Sequence, residues 1–207
     1  MMHPDTELRP AGEAIGLGVF ATRPIPRGTI VWVLDELDQR FLPQRLEALP
    51  PGYEKLLERY GYLNARGERV LCWDLARWVN HACAANALSC GWELDVAVRD
   101  IAAGEEITND YGCLNLERSF RCECREPGCR GRIGPEDFER LADHWDAQVR
   151  DAFHFVKRVT QPLWRFVPQP RAVSAAARDP FRVPSIRLHH LDGAPLAARG
   201  PSARRTA

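Results

Sequence analysis

The chain has 207 residues, 28 of them basic and 28 acidic, for a formal net charge of zero. That length suits one domain, or one domain with an appendage, able to bury its own core. An apolar fraction of 45% and a charged fraction of 27% exclude wholesale disorder, and the balanced charge excludes a uniformly basic nucleic-acid coat. No apolar run approaches the ~20 residues needed to span a bilayer. The opening MMHPDTELRP lacks the apolar segment of a secretory signal, so a cytoplasmic protein is expected. Lys55 and Lys157 are the only lysines; every other basic residue is arginine. Residues 160–207 hold eight arginines against Asp179 and Asp192, a net of +6, so residues 1–159 sum to −6. An acidic body suits a basic partner, although six charges are also an ordinary solvated surface.

Residues 16–34 predict strand, turn, strand. Val19-Phe20-Ala21 is short and apolar, Pro24 to Gly28 punctuates, and Thr29 to Val33 is rich in β-branched side chains. Residues 43–62 predict helix broken by Pro50-Pro51-Gly52, with Tyr53, Leu56, Leu57 and Tyr60 on one face. Val70 to Trp73 reads as a short strand. Trp92, Leu94, Val96 and Val98 alternate with Glu93, Asp95 and Ala97, the pattern of a half-buried strand. Ala103-Gly104 turns the chain and Ile107 starts another short segment. Pro135 opens a helix to about residue 158, with Glu136 and Asp137 at its positive end. Phe138, Leu141, Ala142, Trp145, Val149 and Phe153 form its apolar stripe, which is core or docking surface. After Pro168 the composition turns to Pro, Ala, Arg and Ser without periodicity, which predicts a mobile tail.

Four short patterns carry chemistry. The cysteines are Cys72, Cys83, Cys90, Cys113, Cys122, Cys124 and Cys129; an odd number without an export signal favours metal or reactive chemistry over a disulfide framework. Cys122-x-Cys124-x4-Cys129 offers three thiolates around one soft cation. Structural zinc wants four ligands in a tetrahedron, so a fourth must come from Cys83, Cys113, Cys90 or Cys72. Asn80-His81-x-Cys83-x2-Asn86 packs amides, an imidazole and a thiol together, which on its own is also how polar loops bond their own backbone. Gly104 to Gly112 sets Tyr111 between an acid and a glycine after a strand. Gly16-Leu17-Gly18 lets a backbone approach a ligand closely, and ordinary turns use the same residues.

In this order, Gly16 to Ala21, Arg77 to Asn86, Val98 to Gly112 and Cys122 to Gly131 together resemble a SET-domain protein-lysine methyltransferase with a post-SET zinc segment. The resemblance covers about residues 15–134. It implies an α+β fold, mainly β, of small curled sheets (a β-clip) plus a C-terminal helix. The implied organisation is an N-terminal arm 1–14, the SET domain 15–113, a post-SET zinc segment 114–134, a helical extension 135–167 and a disordered basic tail 168–207. It further implies S-adenosyl-L-methionine as cofactor, held by Gly16, Leu17, Gly18, Asn80, His81 and Tyr111, with Tyr111 catalytic. A structural zinc would sit on Cys83, Cys122, Cys124 and Cys129. The partner would be a protein with an accessible lysine, with neither direct nucleic-acid contact nor a membrane involved. Asn109 stands where the family often has Phe or Tyr, which leaves the number of methyl groups open. The alternative is a catalytically silent, zinc-stabilised binding module of the same fold.

The chemistry asks for little more. Methyl transfer from a sulfonium to an amine is one displacement, and the amine must be neutral. For lysine at pH 7 that costs about 4.6 kcal/mol, which an apolar channel and an adjacent positive charge reduce. The rest is in-line positioning.

Overall fold

The computed structural model describes residues 1–191, and the part of the tail expectation that falls on 192–207 lies outside them. In chain order the strands and helices are β1 (Thr6–Gly12), β2 (Gly16–Ala21), β3 (Ile30–Val33), β4 (Gln39–Phe41), α1 (Pro43–Glu47), α2 (Tyr53–Tyr60), β5 (Gly61–Leu63) and β6 (Arg69–Leu71). They continue with β7 (Asn80–His81), β8 (Ala87–Cys90), β9 (Leu94–Ala97), β10 (Glu106–Asn109), β11 (Phe120–Arg121), β12 (Arg132–Ile133), α3 (Glu136–Phe153) and α4 (Pro170–Ala176). Small sheets dominate, in the orders β1-β2-β10-β7, β3-β9-β8 and β4-β6-β5, with β11-β12 as a separate hairpin. This is the α+β architecture expected from the sequence.

The sheet β3-β9-β8 divides two apolar clusters. Ile30 and Val33 of β3 join Leu88, Leu94 and Val96 on one side; Val31 and Trp32 join Ala87 and Ala97 on the other. A strand buried on both faces reads as an unbroken apolar run, which is what Ile30-Val31-Trp32-Val33 is. Helix α3 packs Phe138, Ala142, Trp145, Val149 and Phe153 into the first cluster, and acids fill its first turn. The helical break at Pro50-Pro51-Gly52 separates α1 from α2, where Leu57 alone is buried and Tyr53 and Leu56 stay exposed.

The described part of the expected tail is ordered and packed, which corrects the reading of a mobile segment from residue 168. Val173, Ala176 and Ile186 are 1% exposed or less, and Val183 is also buried, all within the cluster that holds α3. Ile186 N–H donates to Asp146 Oδ1 at 2.8 Å. Asn115 Nδ2 donates to the His189 carbonyl at 2.7 Å, and Leu191 N–H donates back to Asn115 Oδ1 at 2.8 Å. The segment uses one short helix and single 3-10 turns, so its apolar residues never build a periodic stripe.

This segment adds a pH dependence. The ring of His189 accepts the Glu93 N–H at 3.4 Å, and burial lowers its pKa to about 4. The unfolded chain takes a proton there near pH 6.5 while the folded one resists until about pH 4. The unfolded state thus binds more protons across that window, and stability falls as pH falls through it, by about 3 kcal/mol in total. Denaturant unfolding at pH 7 and pH 4.5 should show a smaller drop for His189→Gln than for wild type. Equal drops would assign the acid sensitivity to other groups.

Candidate active site and metal centre

Strand β10 lies between β2, to which it is antiparallel (Ile107 opposite Val19), and β7, to which it is parallel (Thr108 opposite Asn80, Asn109 opposite His81). This pairing brings the start of β2 at Gly16–Gly18, the Asn80-His81 pair and Tyr111 to one place. Gly16 has φ +92°, a left-handed conformation that glycine adopts without strain. A Cβ on Gly18 would collide with the Glu106 carboxylate. That carboxylate is occupied: Asn80 Nδ2 donates to Glu106 Oε1 at 2.7 Å and to the Leu17 carbonyl at 2.9 Å.

The Tyr111 hydroxyl donates to the Val79 carbonyl at 2.6 Å. Burial, with Glu106 as a lesser influence, pushes its pKa up to about 12, so at physiological pH it is a neutral phenol. The Tyr111 backbone N–H donates to His81 Nδ1 at 3.0 Å. Phe120 on β11 closes an aromatic cluster, its ring 6.0 Å from His81 and 6.2 Å from Tyr111. Tyr111 also lines a cavity of about 1020 Å³ that runs between the α2–β5 side and the C-terminal segment. Gly16, Leu17, Gly18, Asn80 and His81 are not part of its wall.

The thiols gather at the same junction. The ligand atoms of His81, Cys83, Cys122 and Cys124 all lie within 4.8 Å of one another. Cys129 stands beside Cys122 and Cys124, just outside that tightest group, and its Sγ accepts the Gly131 N–H at 3.3 Å. Cys83 and Cys122 are 3.7 Å apart with no disulfide. Two sulfurs on one tetrahedral zinc, each at about 2.3 Å, are separated by about 3.8 Å. Arg130 N–H donates to Cys83 Sγ at 3.3 Å, the kind of support an anionic sulfur ligand takes. Burial opposes ionisation of Cys124, but amide donors at Cys83 and Glu126 outweigh it and bring the thiol down to about 7. The donor set therefore fits a structural zinc.

His81 adds a fifth candidate that spacing did not suggest. A neutral imidazole whose Nδ1 accepts a hydrogen bond carries its proton on Nε2. His81 Nε2 is 3.4 Å from Cys83 Sγ, so in this tautomer it is a donor to the sulfur. Cys72, Cys90 and Cys113 are buried elsewhere with thiol pKa values raised by burial.

One residue joins these parts and was missed by sequence reasoning. Asp110, 2% exposed, receives both arms of Arg130 at 2.7 and 2.6 Å, Trp145 Nε1 at 3.1 Å and the Gly112 N–H at 3.0 Å. It ties the thiol-bearing loop to α3 directly beside Tyr111. An acid ahead of a tyrosine gives no sign of this by itself, because the partners are 20 and 35 positions away.

A β-clip of small sheets with one parallel pair, a phenol at that pair and a thiol cluster beside it define the class. Residues 16–112 match the model of the SET domain family. It is 30% identical over 132 residues to the variant-silencing SET domain-containing protein of Plasmodium falciparum, covering 56% of this chain and 5% of that protein. It is 33% identical over 139 residues to the histone-lysine N-methyltransferase Set2 of Drosophila melanogaster, covering 60% of this chain and 6% of that protein. The aligned regions thus span only a small fraction of these relatives' lengths. Among solved structures, the crystal structure of KRYPTONITE in complex with mCHG DNA and SAH is similar, with a TM-score of 0.45 and 19% identity over 61% of this chain and 28% of that one.

Proposed function

We propose that the chain transfers a methyl group from S-adenosyl-L-methionine to the side-chain amine of a lysine in a protein substrate. The observation that carries this reading is Tyr111: a neutral, half-buried phenol at the β7–β10 junction that also faces a large cavity. The SET domain match and relatives named histone-lysine methyltransferases support it.

In this reading the cofactor supplies an activated methyl group. The chain does the rest. The start of β2 at Gly16, Leu17 and Gly18, with Asn80 and His81, holds the cofactor on one side of Tyr111. Asn80 spends both Nδ2 protons on Leu17 and Glu106, which leaves its Oδ1 as the acceptor that would receive the cofactor's ammonium. The Tyr111 hydroxyl and the Val79 carbonyl orient the reacting groups. The acceptor enters through the cavity. Cys83, Cys122, Cys124 and Cys129 hold a structural zinc, and His81 donates to Cys83 without ligating the metal. Free thiols suit a reducing compartment, and we place the reaction in the cytoplasm. No helix among the described residues is long and apolar enough to cross a membrane, and direct nucleic-acid contact is not part of this reading.

Radiolabelled transfer to core histones and to lysate tests it. Tyr111→Phe should lower the rate about 100-fold or more while cofactor affinity, read by calorimetry, stays within a few-fold. Asn80→Ala should weaken cofactor binding at least tenfold. Unchanged turnover in the first variant would remove Tyr111 from the chemistry, and absence of transfer from wild type with bound cofactor would leave the silent binding module.

A further inference from the structure

Asp95 occupies a position its residue type disfavours. It sits within β9, the central strand of its sheet, between Leu94 and Val96, both fully buried. Strand interiors are poor in aspartate, and the alternating pattern is that of a strand with one solvated face. The structure turns Asp95 inward instead. Its neighbours across the sheet are Trp32 on β3 and Ser89 on β8. Ser89 Oγ donates to Asp95 Oδ1 at 2.6 Å, and Asn109 Nδ2 donates to Oδ2 at 2.8 Å. Two neutral donors fix the carboxylate in place.

Nothing in the sheet neutralises it. Among the described residues no Lys, Arg or His forms an ion pair with Asp95. The terminal amine of Met1, whose field reaches it, is paired with Asp35 at 2.6 Å. A half-buried carboxylate without a counter-ion still carries a desolvation cost. This one lines the cavity, together with Trp32, Tyr62, Asn109 and Tyr111. Trp32 and Tyr62 meet edge to face at 6.3 Å. An acid and aromatic rings in one wall are the chemistry that receives an organic cation.

Resting on the methyltransferase reading, we infer that Asp95 is the specificity-determining residue of the acceptor site and selects an unbranched aliphatic side chain ending in an ammonium. Asn109 positions the carboxylate and is itself held by Cys113, whose Sγ donates to Asn109 Oδ1 at 3.4 Å. The contact concerns binding; the bound ammonium still gives up a proton to solvent before its nitrogen attacks. Burial raises the Asp95 pKa, and an arriving cation counters that shift.

The probes are n-butylammonium, which reproduces the end of a lysine side chain, and 1-butanol, the same length without charge. Both are titrated into the full chain and followed by NMR at the tryptophan indole signals. Wild type should bind n-butylammonium at least tenfold more tightly than 1-butanol. Asp95→Asn, nearly isosteric and uncharged, should bring the two within about twofold of each other while leaving 1-butanol affinity unchanged. Ser89→Ala, which keeps the carboxylate, should retain the preference. Equal affinities in wild type, or a preference that survives in Asp95→Asn, overturn the inference; the wild-type comparison decides even if the variant does not fold. Methyl transfer to core histones is scored separately. Its absence would count against the enzymatic reading, whereas the probe comparison would still decide the role of Asp95.

Discussion

A chain ending after Val167 is expected to lose most of its stability. Val173, Ala176, Val183 and Ile186 are buried in the same cluster as Phe138, Trp145 and Phe153 of α3. Burying a Val or Ile side chain contributes about 1.5–3 kcal/mol, so three of them account for several kcal/mol before ordering is discounted. A domain holds roughly 5–15 kcal/mol in all. The truncation also exposes the apolar side of α3 and deletes the acceptors and donors around Asn115 and Asp146. Thermal melting and size exclusion should show a drop of more than ten degrees, or aggregation. A truncated chain that melts within two degrees of the full one would show that the segment rests on the core without supporting it.

Metal removal is the second large effect. Purified protein should contain one zinc per chain. Cys83→Ser should lower the bound metal at least tenfold, while Cys72→Ser should leave about one equivalent. The scale comes from structural zinc sites, where metal binding is worth about 10–16 kcal/mol at neutral pH. The consequence reaches beyond the ligands. Releasing the loop withdraws Arg130 from Asp110, and a buried charge stripped of its partner costs about 3–5 kcal/mol. Chelation should therefore lower the melting temperature and disturb Tyr111 together. Full zinc content in Cys83→Ser would point to His81 as a ligand in the opposite tautomer.

Much of this was legible in the chain because the signals are local. The run Ile30 to Val33, the stripe on α3 and the break at Pro50-Pro51-Gly52 each state their structure within one element. The residues proposed for cofactor and metal stand out as short motifs in a fixed order, and the structure brings them to one junction. Three things were not legible. Strand β1 was read only as an arm, because Thr6 to Gly12 includes Pro10 and Gly12 and has no fully buried residue to mark an alternation. The segment from Pro168 hides its burial in turns too short to show a period. Asp95 follows the alternation of a half-buried strand, and only the fold reveals that both faces of that strand are covered.

The placement of β10 also governs how the chain can fold. Its neighbours are β2, whose Phe20 pairs with Glu106, and β7, whose Asn80 pairs with Thr108 in parallel. Neither contact can form through a tight turn, and the parallel one needs a crossover first. Loop closure must be completed before these pairings return any energy, and chains dominated by such distant contacts fold in milliseconds to seconds. The junction that gathers the reactive residues is thus expected to be among the last parts to assemble. Nascent chains will present the uncovered edges of β2 and β7 until Tyr111 arrives.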